Sequence, residues 1–233
     1  MASVQSPAPV SSGPYELGRF IELHHFLALP PGDPRYERDE EGRLAPMSPD
    51  DLRPHRVPLV TLAGYFHRRL ESPYFVLHEG GVAFERIYDL SGNLLPPSFL
   101  GRKTLEPDFV IFDRSPSTIE GPEGRTVAAP EGIRLVVEIV SAGTWRSDLG
   151  VGRADQVDKR RSYLESGVPE YWILNAGVAE AARRLPVRSG QFLAARRDRS
   201  AWEPIPVRKG IVRSRSIRGL TLDLEAYWTS CQV

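Results

Sequence analysis

The sequence predicts a single domain of the α/β or α+β class, and three observations predict it. Strand-like runs alternate with a helical segment through the middle of the chain. The longest of these runs, Ile133–Val140, is almost continuously apolar, as expected of a strand covered on both faces. Shorter β-like pieces, punctuated by Gly and Pro, flank this region on both sides. A chain of 233 residues, 41% of them hydrophobic, has enough apolar side chains for one sizeable core.

The elements follow in order. Residues 1–14, rich in Ser, Pro and Ala, read as a flexible N-terminal tail, so the domain is expected over 15–233. Leu17, Phe20, Ile21, Leu23 and Leu27 recur at helical spacing before the Pro30-Pro31-Gly32 break. Tyr36–Met47 carries a central Glu-Glu-Gly-Arg turn and reads as a hairpin. Pro54–Leu70 is a clearer helix, with Val57, Val60, Ala63, Phe66 and Leu70 roughly on one face and the Ser48–Asp51 run supplying caps. Strands are expected at 75–77, 81–87, 108–112, 133–140 and 171–174. Between the last two, Ala154–Ser166 reads as a helix ended by Gly167, with Pro169 just beyond. From Ala181 to Trp228 the chain breaks into short β-like pieces.

Composition excludes several classes. One cysteine, Cys231, rules out a disulfide framework or a cysteine-based zinc site. The N-terminus lacks the pattern of a secretory signal, and no apolar stretch reaches the length of a membrane span, so a cytoplasmic protein without a membrane partner is expected. The formal charge is zero, with 30 basic and 30 acidic residues, but it is unevenly spread. Residues 181–219 hold eleven basic side chains against Asp198 and Glu203, a net +9 that leaves −9 for the remainder. Arg183, Arg184, Arg196, Arg197, Arg208, Lys209, Arg213 and Arg215 from this tract are candidates for contact with a phosphate backbone, or a solvated arginine-rich face. Only three of the basic residues are lysines, which draws attention to each of them.

Three polar residues stand where the pattern calls for something else. Glu138 interrupts the apolar run, and a carboxylate buried in a strand must be paired, hydrogen-bonded or bound to a cation. Arg134 is a poor partner, because four residues along a strand at about 3.3 Å each place it more than about 12 Å away. Asp108 stands at the mouth of the strand Phe109–Phe112; after Pro107 it is either a turn residue or, with Glu138, half of a pair of hard oxygen ligands suited to Mg²⁺ or Mn²⁺. Lys159 shares one helix face with Asp155 and Tyr163 by i, i+4 spacing, which reads either as a routine surface pair or as a cation delivered beside Glu138.

These residues resemble the Uma family of restriction-endonuclease-like proteins, a bacterial branch of the PD-(D/E)XK nuclease superfamily. The resemblance runs from about Tyr36 to Trp228. It is carried by Leu135-Val-Val-Glu-Ile-Val-Ser141, Asp155-x-x-x-Lys159-x-x-x-Tyr163, Gly167-Val-Pro-Glu-Tyr-Trp-Ile-Leu174 and Pro107-Asp108, with Met47-Ser48-Pro49 and His55 at its opening and Gly219-Leu-Thr-Leu-Asp-Leu224 at its close. It implies a restriction-endonuclease-like core, a central mixed β-sheet flanked by helices, with β-hairpins added at both ends. It also implies metal-dependent hydrolysis of DNA. Asp108, Glu138 and the backbone carbonyl of Ile139 would hold Mg²⁺ or Mn²⁺, and Lys159 would assist the attacking water. Tyr163, Ser141, Asp155 and His55 would support them.

Two departures accompany the resemblance. The superfamily's Glu-x-Lys would place lysine at position 140, where this chain has Val140, so the helix supplies Lys159 instead. The segment from Thr144 to Asp155 is also several residues longer than usual, which leaves Asp148 and Asp155 as rival counterparts of the aspartate before that lysine. Asp155 fits by its four-residue step. The competing readings are a nuclease fold that binds DNA or assembles without cleaving, and a hydrolase of another substrate. Cutting two strands with one site per chain favours a symmetric homodimer, although no residue pattern demonstrates one.

Overall fold

The computed structural model describes residues 36–38, 44–46, 52–78, 80–96, 103–120, 126–141, 144–154, 156–175, 177–186 and 189–231. The expected tail over 1–14 and helix over 15–29 lie outside them. At the centre is a six-stranded sheet of β1 (Phe75–His78), β2 (Phe109–Phe112), β3 (Ile133–Val140), β4 (Glu170–Asn175), β5 (Gly190–Ala195) and β6 (Trp202–Pro204). Spatial order follows chain order, and every neighbouring pair is antiparallel except β3–β4. A parallel pair needs a long crossover, and this one carries the helices that complete the candidate site.

Among the described residues five helices accompany the sheet: α1 (Leu52–Arg69), α2 (Trp145–Leu149), α3 (Lys159–Glu165), α4 (Ala179–Ala182) and α5 (Leu224–Cys231). The near-continuous apolar strands are covered on both faces, as their sequence requires. On one face Val136 and Val140 of β3 join Val110, Phe112, Tyr171 and Ile173 beneath Trp145, Leu149 and Tyr163 from α2 and α3. On the other, Leu135, Val137 and Ile139 join Phe109, Ile111, Trp172 and Leu174 against α1 and α5. Tyr227 of α5 ties these two helices together by donating to the Pro58 carbonyl at 2.9 Å. Side chains alternate along a strand, so Glu138 falls on the α2/α3 face.

The flanking β-structure is a mixture of additions and extensions. Tyr36–Arg38 pairs with Leu44–Pro46 as the expected N-terminal hairpin, and Ile211–Arg213 with Thr221–Asp223 as the C-terminal one. By contrast, β5 and β6 extend the central sheet, because Phe192, Leu193 and Ala194 bury side chains on both faces. A smaller four-stranded sheet is built from Val82–Phe84, Lys103–Leu105, Thr118–Glu120 and Thr126–Ala128. Among the described residues no helix is long and apolar enough to cross a membrane.

The helix expected over 154–166 is shorter than its pattern. Val157–Asp158 pairs with Tyr88–Asp89 instead, and Asp158 caps α3 by accepting from Arg161 N–H at 2.8 Å. An aspartate that can cap the first turn competes with continuing the helix backwards through it. The predicted stop holds: Gly167 has φ +79°, and its N–H and that of Val168 donate to Leu164 and Tyr163 in a Schellman arrangement.

Candidate active site

Pro107 has no N–H to give a sheet, and the β2–β3 ladder ends at Phe109 opposite Val137. Asp108 takes the place of the next pair: its Oδ2 accepts from Ile139 N–H at 2.6 Å. The N–H and C=O of a strand residue point to the same side, so the Ile139 carbonyl faces the same gap.

Glu138, beside that gap, is only 2% exposed. Its Oε1 accepts from the Tyr163 hydroxyl at 2.6 Å, and its Oε2 lies 3.1 Å from Lys159 Nζ. Both partners come from α3, one turn apart on the face turned to the sheet. Tyr163 is seated by ring contacts to Phe84 and Tyr171, with centroids 5.5 and 5.0 Å away. Lys159 Nζ also reaches Asp148 Oδ1 at 2.8 Å. Asp148 is fully buried on α2, whose position is fixed by the Tyr171 hydroxyl donating to the Asp148 carbonyl at 3.0 Å.

Burial dominates the electrostatics. It pushes the Glu138 carboxyl up to about 8, with Lys159 opposing the rise and the negative charges of Asp148 and Asp108 adding to it. Asp148 is raised by burial too, again opposed by Lys159. For Lys159 burial disfavours the charge, but Asp148 and Glu138 outweigh it and hold the ammonium firmly protonated. The Tyr163 hydroxyl is pushed well up by burial and by Glu138. Glu138 and Asp148 thus share the Lys159 ammonium, with the negative charge of Asp108 nearby.

A model of the Uma2 family, described as "Putative restriction endonuclease", matches residues 23–225. The chain belongs to this family. A "putative nuclease belonging to DUF820" from Anabaena variabilis, known from a crystal structure, is similar at 16% identity and a TM-score of 0.47, covering 91% of this chain and 99% of that one. No protein of curated function matches.

In this Uma2 member Asp108, Glu138, Lys159 and Tyr163 converge. Ser141 acts at one remove: its N–H donates to Thr144 Oγ1 at 3.1 Å, at the start of α2. Asp155 and the side chain of His55 lie outside the described residues. The premise for Asp155 needs correction, because α3 begins at Lys159 and position 155 precedes it. Among the described residues the aspartate that meets the lysine is Asp148, delivered by the extra length between Thr144 and Asp155 as a short helix. Its sequence signal is Trp145 and Leu149 at i, i+4, both buried on one side of an otherwise polar segment.

The basic tract is divided. Arg183 and Arg184 are exposed beside α4, on the Glu138 side of the sheet. Arg196 and Arg215 pair with Glu203, at 3.1 and 3.5 Å, and Arg197 is exposed in the β5–β6 turn. Arg208, Lys209 and Arg213 sit on the hairpin whose Val212 and Leu222 pack on the opposite face.

The chemistry of the donors suits a hard divalent cation. Asp108, Glu138 and the Ile139 carbonyl are all oxygen donors around one break in the sheet. Asp148 gives Lys159 a partner independent of Glu138, so the glutamate can be released to a cation without leaving the ammonium alone. Among the described residues no three His, Cys, Asp or Glu side chains are grouped closely enough to hold a metal ion by themselves.

Proposed function

We propose that this protein is a divalent-metal-dependent endonuclease that hydrolyses DNA phosphodiester bonds, with Asp108, Glu138 and the Ile139 carbonyl holding Mg²⁺ or Mn²⁺. The observation that carries the reading is the meeting of Asp108, Glu138 and Lys159 beside the gap in the β2–β3 ladder, with Asp148 as a second partner of the lysine. A bound divalent ion would supply Lewis-acid charge to acidify water and to offset charge on the phosphate.

The remaining roles belong to the chain. Lys159 is held protonated by two carboxylates, which makes it a fixed positive charge for the phosphate rather than a proton acceptor. Asp148 positions it, and Tyr163 fixes the Glu138 carboxylate through one oxygen. Family membership supports a nuclease, and a DNA-cutting enzyme with one site per chain fits a pair of chains acting together.

One observation favours a second reading, a nuclease fold that binds without cutting: both Glu138 oxygens have partners within the protein. Incubation of supercoiled plasmid and circular single-stranded DNA with Mg²⁺, Mn²⁺ or EDTA separates the two. The endonuclease reading expects metal-dependent nicking by the wild type and its loss in Asp108→Ala, Glu138→Ala and Lys159→Ala. Nicking that is equal in wild type and all three variants sinks it. Salt-sensitive binding without nicking supports the second reading.

A further inference from the structure

An open cleft of 690 Å³ lies on the Glu138 side of the sheet, and its walls carry Arg146, Arg160, Arg183 and Arg184 around Trp145 and Gln191. Among the described residues no carboxylate lines it. Its placement follows from strand register. Glu138 pairs with Ile173 and Ile173 with Gln191, so Gln191 stands on the same face, two strands away. At about 4.8 Å per strand spacing that is about 10 Å from the candidate metal ligand.

The cleft and the acidic cluster share two walls. Arg146 precedes Asp148 on α2, and Arg160 follows Lys159 on α3, so each helix turns one side chain inward to the cluster and another outward to the cleft. The Arg146 guanidinium lies over the Trp145 ring, 4.4 Å from its centroid. Arg183 and Arg184 approach from the end of α4, both exposed, and neither forms an ion pair with a carboxylate among the described residues.

We propose that this cleft binds the phosphate backbone of the nucleic-acid strand and leads it to Glu138 and Lys159, a proposal that rests on the nuclease reading above. Guanidinium groups present planar forked donors matched to phosphate oxygens, and four of them lining one cleft make a track for a chain of phosphates. The strand therefore crosses the sheet from β5 towards β2. The hairpin arginines on the opposite face take no part.

The test measures binding of a short fluorescent DNA duplex in EDTA, so that cleavage plays no part, across a range of salt. Each phosphate interaction removed lowers the slope of log K against log salt by about one. Arg183→Ala/Arg184→Ala should weaken binding several-fold and reduce the slope by about two, whereas the charge-matched Arg68→Ala/Arg69→Ala on α1 should leave both unchanged. Circular dichroism confirms that the variants fold. Equal effects from the two pairs, or no effect from the first, overturn the proposal, as does a wild type that binds no DNA at low salt. Polyglutamate that displaces the duplex as well as unlabelled DNA does would assign the cleft to acidic polypeptide and overturn it too. Parallel plasmid nicking separates the two readings. A wild type that binds through the cleft but never nicks removes the nuclease and leaves the cleft. One that nicks while Arg183→Ala/Arg184→Ala retains the full slope removes the cleft alone.

Discussion

Replacing Glu138 by glutamine keeps the side chain's shape and removes its charge, and the structure fixes what this should do to stability. The Glu138 carboxyl titrates at about 8 in the fold against 4.5 for an ordinary glutamate. Between those values the folded state binds a proton that the unfolded state has released, so stability falls as pH rises. The contribution is complete below pH 4.5 and is lost as pH passes through about 8. At 1.36 kcal/mol for each pH unit, the gap corresponds to about 5 kcal/mol as an upper figure. The Glu138→Gln variant lacks this dependence. Denaturant unfolding of both proteins in EDTA, at several values from pH 5 to pH 9, should give curves that diverge steadily, with the variant gaining on the wild type at alkaline pH. The comparison is of slopes, because the altered hydrogen bonding of the amide shifts the variant by a constant amount. Parallel slopes would refute the reasoning and place Glu138 in an environment that accepts its charge freely.

Other outcomes follow from neighbouring groups. Asp148→Asn weakens one of the two contacts of Lys159 while Glu138 keeps it paired, and should destabilise the protein by about 1–3 kcal/mol, measured by denaturant unfolding at neutral pH. Tyr163→Phe deletes the hydroxyl that holds Glu138 Oε1 and should cost about 1–3 kcal/mol while leaving the packing of its ring intact, checked the same way. Glu170 is buried and accepts from Trp172 Nε1 and from Ser214 Oγ, Arg215 N–H and Ser216 N–H at 2.6 to 2.9 Å. Glu170→Ala should therefore cost about 3 kcal/mol and expose the 214–216 segment to limited proteolysis.

Much of the site was legible because its residues break local rules. Glu138 stands out as a charge in a run that must be buried on both faces, and Lys159 as one of three lysines near such a strand. Both stand together in the fold. Asp148 was harder to choose over Asp155, since the four-residue step to Lys159 presumes a helix that the Asp158 cap cuts short. Only the packing of Trp145 and Leu149 turns the longer segment into a helix aimed at the lysine. Charge counting along 181–219 met a different limit. Net charge in a tract says nothing of which face each element covers, and the hairpin at 211–223 packs on α1 and α5 rather than beside Glu138. Arg146 and Arg160 fall outside the tract, yet line the cleft with Arg183 and Arg184. The Gly167–Leu174 motif reads as family pattern in the sequence; in the fold its glutamate is a structural anchor for the C-terminal hairpin.

The central claim is that Asp108 and Glu138 together hold a divalent cation. Titration of the metal-free protein with Mn²⁺, followed by the paramagnetic resonance of the free ion, tests it most directly. The account predicts saturable binding by the wild type, lost in both Asp108→Asn and Glu138→Gln and kept in Arg68→Ala/Arg69→Ala. Binding that survives in both carboxylate variants, or a wild type that takes up no Mn²⁺ at pH 8, would contradict it.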